Sequence, residues 1–161
     1  MHPFPEGQTF AADVAKAVTE SLDLPNLRRI VSAHVAQAVA DPRVSGAQRI
    51  VLTGSGDSLF AAIALAHVFR RWTGLPAEGR TAMEQARYHS TLLTHEDLVI
   101  SISNSGSSSR AREVVLLAKD RGAMTVGVTG SMTGELARNA ARVIHRPVSP
   151  GGRSFVASSM G

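Results

Sequence analysis

An apolar run that ends in hydroxyls, an amide and a glycine stands at Ile100-Ser101-Ile102-Ser103-Asn104-Ser105-Gly106-Ser107-Ser108-Ser109. Asp97 to Ile102 is typical of a short buried strand, and Arg110 to Arg121 carries apolar residues at helical spacing. The loop therefore joins the carboxyl end of a strand to the amino end of a helix. Ligands bind at such a place in an open α/β sheet, because free backbone N–H groups and the positive end of the helix dipole meet there.

The side chains of this loop suit an anion. Its serines and Asn104 add hydrogen-bond donors without adding charge, which fits a phosphate monoester held mainly by hydrogen bonds. The alternative is that Ser108 or Ser109 only caps the following helix, which requires no ligand. The loop alone leaves both interpretations open.

A second loop with the same layout favours the anion site. Arg49 to Thr53 is a compact β-type run, Gly54-Ser55-Gly56-Asp57-Ser58 is a turn, and Leu59 to Trp72 continues as an apolar-rich helix. The two glycines let the backbone approach a ligand closely, and the two serines supply hydroxyls. The chain thus contains two units of strand, small-residue loop and helix.

Two nucleotide-binding motifs fit this second loop poorly. The dinucleotide fingerprint requires a third glycine where the chain has Leu59, and Glu78 is a weak match for its acidic residue. A phosphate-binding P-loop requires Gly-Lys-Ser or Gly-Lys-Thr, which the sequence lacks. A nucleotide-binding oxidoreductase fragment is therefore a disfavoured alternative.

Composition narrows the class of protein further. A chain of 161 residues with 43% hydrophobic residues is long enough for one domain with a sizeable core. It has no cysteine, no apolar run long enough to span a membrane and no signal-peptide pattern at its amino terminus, so we expect a cytoplasmic protein without membrane contact. The net charge of +4 is spread over scattered arginines without interleaved aromatics, which argues against a nucleic-acid partner.

Strands and helices alternate from residue 49 onward. This alternation predicts right-handed β-α-β units, a five-stranded parallel sheet and helices on both of its faces. The predicted strands are 49–53, 76–81, 98–103, 124–129 and 143–147, and the predicted helices between them are 59–72, 82–93, 110–121 and 135–141.

The amino-terminal part has a different pattern. Residues 1–9 are expected to be loosely packed, and helical periodicity runs over 10–22 and 27–40. We therefore divide the chain into a helical extension, 1–45, and a binding domain, 46–161. The chain stops within the apolar segment 155–161, so we expect this domain to be incomplete at its carboxyl end. Apolar helix faces without a partner predict a homo-oligomer.

With both loops in place, the chain resembles the sugar isomerase, or SIS, domain family. The resemblance covers residues 46–161 and rests on Thr53 to Ser58, Ala82 to Tyr88, Ile100 to Ser108, Val128-Thr129 and Val156 to Ser159. It implies a flavodoxin-like three-layer α/β sandwich that binds a phosphorylated sugar without a cofactor. The residues it implies for binding are Gly54, Ser55, Gly56, Ser58, Ser103, Asn104, Ser105, Gly106, Ser108, Val156 and Ala157.

No catalytic residue is assigned from the sequence. Exchanging an aldose and a ketose phosphate requires a base for the proton next to the carbonyl, and the candidates are Glu84, His89, His67, His34 and Asp57. We expect His67 to be a packed core residue, His34 to lie outside the site, and Asp57 to cap its helix. Glu84 and His89 are expected to reach the crevice, unless Glu84 acts as a cap or braces the second loop. No histidines or carboxylates stand at metal-ligand spacing, so no metal is expected.

These observations predict a phosphosugar-binding domain. The leading hypothesis is one half of an isomerase that acts on aldose and ketose phosphates, or of an isomerase or deaminase that acts on amino-sugar phosphates. The alternative is a sensor module that binds a sugar phosphate without chemistry. Residues 10–40 lack the short glycine-containing turn of a helix-turn-helix, so a sensor would need a separate DNA-binding domain.

Overall fold

The computed structural model describes residues 24–147, in which parallel strands alternate with helices. The strands are β1 (Arg49–Gly54), β2 (Ala77–Thr81), β3 (Asp97–Ser103), β4 (Met124–Thr129) and β5 (Arg142–His145). The α-helices are α1 (Leu24–Val39), α2 (Pro42–Ser45), α3 (Asp57–Thr73), α4 (Ala82–Glu84), α5 (Ser109–Asp120) and α6 (Glu135–Asn139). After α4 the chain continues as a π-helical turn, Gln85–His89, and a 3₁₀ turn, Ser90–Leu92.

All strands pair in parallel in the order β2-β1-β3-β4-β5. This is the strand order of flavodoxin-like sheets, and it confirms the predicted α/β fold with five strands. After β1 the chain adds β2 on one side of β1, and it then crosses over to add β3 on the other side of β1. The carboxyl ends of β1 and β3 therefore form the switch point at which such sheets bind ligands.

Side chains alternate across the sheet and make a core on each face. One face packs Leu52, Ile100 and Val126 against α3. The other face packs Val51 and Val99 against α5 and the helical segment that begins with α4. Helices thus cover both faces, and the fold has three layers.

Helix α3 packs on the sheet through small residues. Its buried residues are Ala62 and Ala66, and it lies so close to β2 that a Cβ on Gly79 would come within 2.6 Å of the Ile63 Cα atom. Most of the large apolar side chains of α3 are consequently exposed, Trp72 at 83%, whereas Phe69 packs against the core. His67 is also exposed, so the prediction that it packs in the core is wrong.

The helices before β1 are tied to the far edge of the sheet. Asp41 is buried and forms ion pairs with Arg43 and with Arg142 of β5. Hydrogen bonds from the Arg43 side chain and backbone, together with the charge of Arg142, lower the pKa of Asp41 to about 2. The imidazole rings of His34 on α1 and His145 on β5 meet edge to face, with centroids 5.8 Å apart.

Most predicted elements agree with the structure to within one or two residues at each end. Strand β4 has the predicted bounds, whereas β5 begins one residue earlier and ends two residues earlier than expected. The predicted helix 82–93 is instead three short helical turns of different pitch. The expectations for 1–9, 10–22 and 155–161 fall outside the described residues. Within 24–147, no helix has the length and apolar character that crossing a bilayer demands.

Candidate functional site

A cleft of about 550 Å³ opens where β1, β3 and β4 end. Its volume lies within the range of small-molecule sites. Both predicted loops reach it, together with the end of β4 and a residue that follows β5. The residues that line it are Ser55, Asp57, Ser58, Ala61, Ile102, Ser103, Asn104, Ser105, Ser108, Val128, Thr129, Gly130 and Arg146.

The loop after β3 turns sharply at Gly106. This residue has φ +68°, and a Cβ there would come within 2.7 Å of Thr129 Oγ1 on β4. The Ser105 and Ser107 hydroxyls lie 2.9 Å apart, and the Ser107 N–H donates to Ser105 Oγ. Gly106 therefore allows a tight turn that presents polar groups to the cleft.

Ser108 serves the helix as well as lining the cleft. It is the N-cap of α5, and its hydroxyl oxygen accepts a hydrogen bond from the Ala111 N–H at 3.3 Å. The predicted capping role is thus observed, and its hydroxyl proton is left to donate elsewhere. The first N–H groups of α5 have no partner within the helix, and the helix dipole is positive at this end.

The loop after β1 lies against the start of α3. A Cβ on Gly54 would come within 2.4 Å of the Ser58 carbonyl group, so only glycine allows this approach. Gly56, with φ 55°, occupies the N-cap position and Asp57 is the first helical residue. The expectation that Asp57 caps the helix is therefore wrong, because the turn at Gly56 places the helix start one residue earlier. Asp57 instead lines the cleft and is half-buried.

Arg146 is a cleft residue that no motif in the sequence predicts. Its backbone N–H donates to the Thr129 carbonyl at 2.8 Å, and its Nη1 donates to Asn104 Oδ1 at 3.1 Å. The backbone carbonyl of Asn104 accepts a hydrogen bond from the Gly130 N–H at 2.9 Å. The ends of β3, β4 and β5 are thus joined around a guanidinium group.

The other catalytic candidates lie away from this cleft. Glu84 is in the turn capped by Thr81, and its carboxylate lies 3.3 Å from His89 Nε2, so it braces its own segment. Neither Glu84 nor His89 lines the cleft, and His34 and His67 do not line it either. Val156 and Ala157 lie outside the described residues. Residues 24–147 contain no group of three or more histidines, aspartates or glutamates arranged to hold a metal ion.

The chain is similar to known proteins that share one domain family. The model of the SIS domain family matches residues 44–160. A glutamine–fructose-6-phosphate aminotransferase (isomerizing) from Tropheryma whipplei is 28% identical over 102 residues, which are 63% of this chain and 16% of that protein. This chain therefore spans about a sixth of the length of that relative.

Solved structures share the fold at low sequence identity. A candidate sugar-phosphate isomerase from Listeria monocytogenes superimposes with a TM-score of 0.70 at 22% identity, over 98% of this chain and 81% of that one. The sugar isomerase domain of an RpiR transcription factor from Sphaerobacter thermophilus gives a TM-score of 0.66 at 19% identity, over 86% and 83%. The family match covers most of the sequence, including both loops of the cleft, and the five-stranded fold agrees with it: the chain belongs to the SIS domain family.

Proposed function

We propose that this chain binds a phosphorylated sugar in the cleft and holds the phosphate on the loop Ser103–Ser108. The observation that carries the proposal is the convergence of polar side chains from both loops on one cleft, beside the amino end of α5 and the guanidinium of Arg146. The loop residues proposed to contact the phosphate are Ser103, Asn104, Ser105 and Ser108. The backbone at Gly106 allows them to surround it.

The strength of such a site can be estimated. A hydrogen bond to a charged group contributes about 1.5 to 3 kcal/mol. Several such bonds to one phosphate, less the entropy lost on association, are consistent with micromolar affinity, which corresponds to about 8 kcal/mol. The site therefore needs few other contacts to hold a sugar phosphate.

The rest of the cleft suits the carbon chain of a sugar. Ala61, Ile102 and Val128 give it an apolar wall, and Ser55 and Ser58 add hydroxyls on the opposite loop. Gly54, Gly56 and Gly106 are not among the lining residues, so their contact with the ligand remains a prediction. Val156 and Ala157 remain predicted contacts, as does the assignment of 46–161 as the binding domain.

We propose that this binding domain is one half of an isomerase for aldose and ketose phosphates, or of an amino-sugar phosphate isomerase or deaminase. The aminotransferase and the candidate isomerase described above support an activity on phosphorylated sugars. The proton transfer requires a base, and Asp57 is the carboxylate among the described residues of the cleft lining. One carboxylate does not supply both this base and the acid that helps to open the sugar ring, so the complete reaction would draw groups from outside the described cleft.

A sensor that binds without turnover is the second candidate. The sugar isomerase domain of the RpiR transcription factor, which superimposes over most of both chains, supports this interpretation. The absence of histidine among the described lining residues favours it too, because histidine is the most frequent proton-transfer residue in enzymes.

We further propose that the protein works in the cytoplasm as a homo-oligomer. The absence of cysteine fits a reducing compartment. The exposed apolar side chains of α3, among them Phe60 at 70% and Trp72 at 83%, fit an interface between copies of the chain.

Calorimetric titration tests the binding site. Fructose 6-phosphate, glucosamine 6-phosphate, arabinose 5-phosphate and NAD are titrated into the wild type and into Ser105→Ala. Ser32→Ala is the control, because Ser32 is exposed on α1 and does not line the cleft. We expect a sugar phosphate to bind, Ser105→Ala to weaken it about tenfold, or 1.4 kcal/mol, and Ser32→Ala to leave it unchanged. Binding of NAD alone, or of nothing, contradicts the proposal.

A second assay tests whether the bound sugar phosphate is also converted. The sugar phosphate that binds is incubated with the full chain, and its conversion is followed by NMR. Conversion supports the isomerase or deaminase, whereas tight binding with no conversion supports the sensor or an incomplete enzyme.

A further inference from the structure

The cleft has an unequal distribution of charge. Among the described residues that line it, Asp57 and Arg146 are the charged ones. Asp57 belongs to the wall made by the first turn of α3, and Arg146 reaches the opposite wall, where its guanidinium meets Asn104. A ligand in the cleft therefore meets a cation on the side of the phosphate loop and a carboxylate on the side of α3.

The bond between Arg146 and Asn104 defines the anionic end. A guanidinium can only donate hydrogen bonds, so the Asn104 carbonyl oxygen must face Arg146 and the Asn104 amide N–H groups face elsewhere. The Arg146 backbone is fixed to Thr129 on β4, which keeps the side chain over the loop. A phosphate on the loop thus has the Asn104 amide N–H groups and a positive charge beside it. Within the described structure, the Arg146 side chain bonds to the neutral Asn104 amide and not to a carboxylate.

Asp57 imposes the opposite requirement on the other wall. An ionised carboxylate only accepts hydrogen bonds, so it pairs with hydroxyl or ammonium groups of a ligand. It repels a second phosphate or a carboxylate, and the half-buried position of Asp57 lessens the screening of that repulsion by water.

Resting on the proposed function, we infer that the Asp57–Arg146 pair makes the cleft specific for sugar monophosphates. The phosphate lies at the end of Arg146, and the end at Asp57 accepts a neutral or positively charged group. Sugar bisphosphates and phosphorylated sugar acids are excluded by Asp57. Arg146 contributes affinity to every phosphorylated ligand, and Asp57 sets the selectivity among them.

Ligand pairs that share the 6-phosphate and differ in the charge at C1 test this inference by calorimetry. The pairs are fructose 6-phosphate with fructose 1,6-bisphosphate, and glucose 6-phosphate with 6-phosphogluconate. The variants are Asp57→Asn, which removes the charge and keeps the shape, and Arg146→Gln with Arg146→Lys. The controls are Asp120→Asn and Arg121→Gln, which change the same charges at exposed positions at the other end of α5.

We expect the wild type to bind the monophosphate of each pair at least tenfold more tightly, and Asp57→Asn to reduce that ratio to about threefold or less. Arg146→Gln should weaken every phosphorylated ligand about tenfold, with partial recovery in Arg146→Lys, and the two controls should match the wild type. Equal binding within each pair, or an unchanged ratio in Asp57→Asn, overturns this inference and leaves the proposed function intact. Failure of every sugar phosphate to bind overturns both.

Discussion

Arg49 and Asp97 form a two-point ion pair that joins the amino ends of β1 and β3, at the end of the sheet opposite the cleft. Arg49 Nε and Nη2 each donate to a different Asp97 oxygen at 2.7 Å, and the two residues are register partners. The Thr94 N–H also donates to Asp97, and Arg49 Nη2 donates to the Leu92 carbonyl as well. The pair therefore fastens the two central strands and the turn that precedes β3.

Removal of one partner of this pair should destabilise the fold. The Asp97 side chain is 2% exposed, so Arg49→Gln leaves a carboxylate buried without its cation. We expect Arg49→Gln to lower the free energy of unfolding by about 3 kcal/mol in urea denaturation, near the lower end for buried pairs, because Arg49 itself is partly exposed. Arg121→Gln, an exposed arginine, should change it little. A loss below about 0.5 kcal/mol in Arg49→Gln would show that the pair does not hold the strands together.

The same pair predicts a dependence of stability on pH. Burial raises the pKa of Asp97, but the Arg49 guanidinium and the Thr94 hydrogen bonds more than offset it and hold the pKa below its ordinary value. The contribution is therefore fully present above the unfolded pKa of about 3.9 and is lost as the pH falls through the lower, folded value.

Asp41 should show the same sign of pH dependence, between about pH 4 and pH 2. Its pKa falls from 3.8 to about 2 because Arg43 donates to it from side chain and backbone and Arg142 lies beside it. The link between α2 and β5 should hold above about pH 4 and be lost as the pH falls toward 2. Urea denaturation from pH 2 to 5 tests this: in Asp41→Asn the free energy of unfolding should vary less with pH than in the wild type. Identical pH profiles would contradict it.

The sheet could be predicted from the sequence because each strand is a short apolar run followed by a loop of small polar residues. Both cleft loops were found in this way, and the positive φ of Gly56 and of Gly106 marks the turn in each. Arg146 could not be found, because it reaches Asn104 from 42 residues away through the strand order β3-β4-β5. No local pattern around Arg146 records this pairing.

Ser108 has two roles that substitutions can separate. Ser108→Ala removes the N-cap of α5 and should cost about 1 kcal/mol of stability as well as ligand affinity. Ser108→Asp restores a good N-cap but places a negative charge against the phosphate, so it should keep the stability of the wild type and bind more weakly than Ser108→Ala. Thermal denaturation and calorimetry with fructose 6-phosphate measure the two effects. Equal affinity in the wild type and Ser108→Asp would mean that no phosphate lies at this residue.

Gly106 and Gly74 form a matched pair for testing the loop. Both have a positive φ, +68° and +72°, but a Cβ on Gly106 would collide with Thr129 Oγ1, whereas nothing lies within 4 Å of a Cβ on Gly74. Alanine at either position should cost about 1 kcal/mol for its backbone conformation. Gly106→Ala should lose more than that and weaken fructose 6-phosphate at least tenfold, and Gly74→Ala should bind it like the wild type. Wild-type affinity in Gly106→Ala would show that the ligand does not bind at this loop.

Helix α3 shows where periodicity misleads. Its sequence is apolar on several sides, so the pattern does not reveal which side meets the sheet. The close approach at Gly79 favours burial of the alanines and leaves most of the large side chains exposed, Phe69 excepted. His67 is likewise exposed, so its place within an apolar-rich helix did not indicate burial.

The exposed side of α3 predicts the outcome of a test of self-association. Phe60, Val68 and Trp72 lie at spacings of eight and four residues along the helix and are 70%, 39% and 83% exposed within the described structure. If copies of the chain associate through this stripe, Trp72→Glu should bury a charge in the interface and raise the dissociation constant at least tenfold in sedimentation velocity experiments. Leu116→Glu is the control, because Leu116 is an exposed apolar residue on another helix, α5, at 41%. A monomeric wild type at all concentrations, or equal weakening by both substitutions, contradicts an interface on α3.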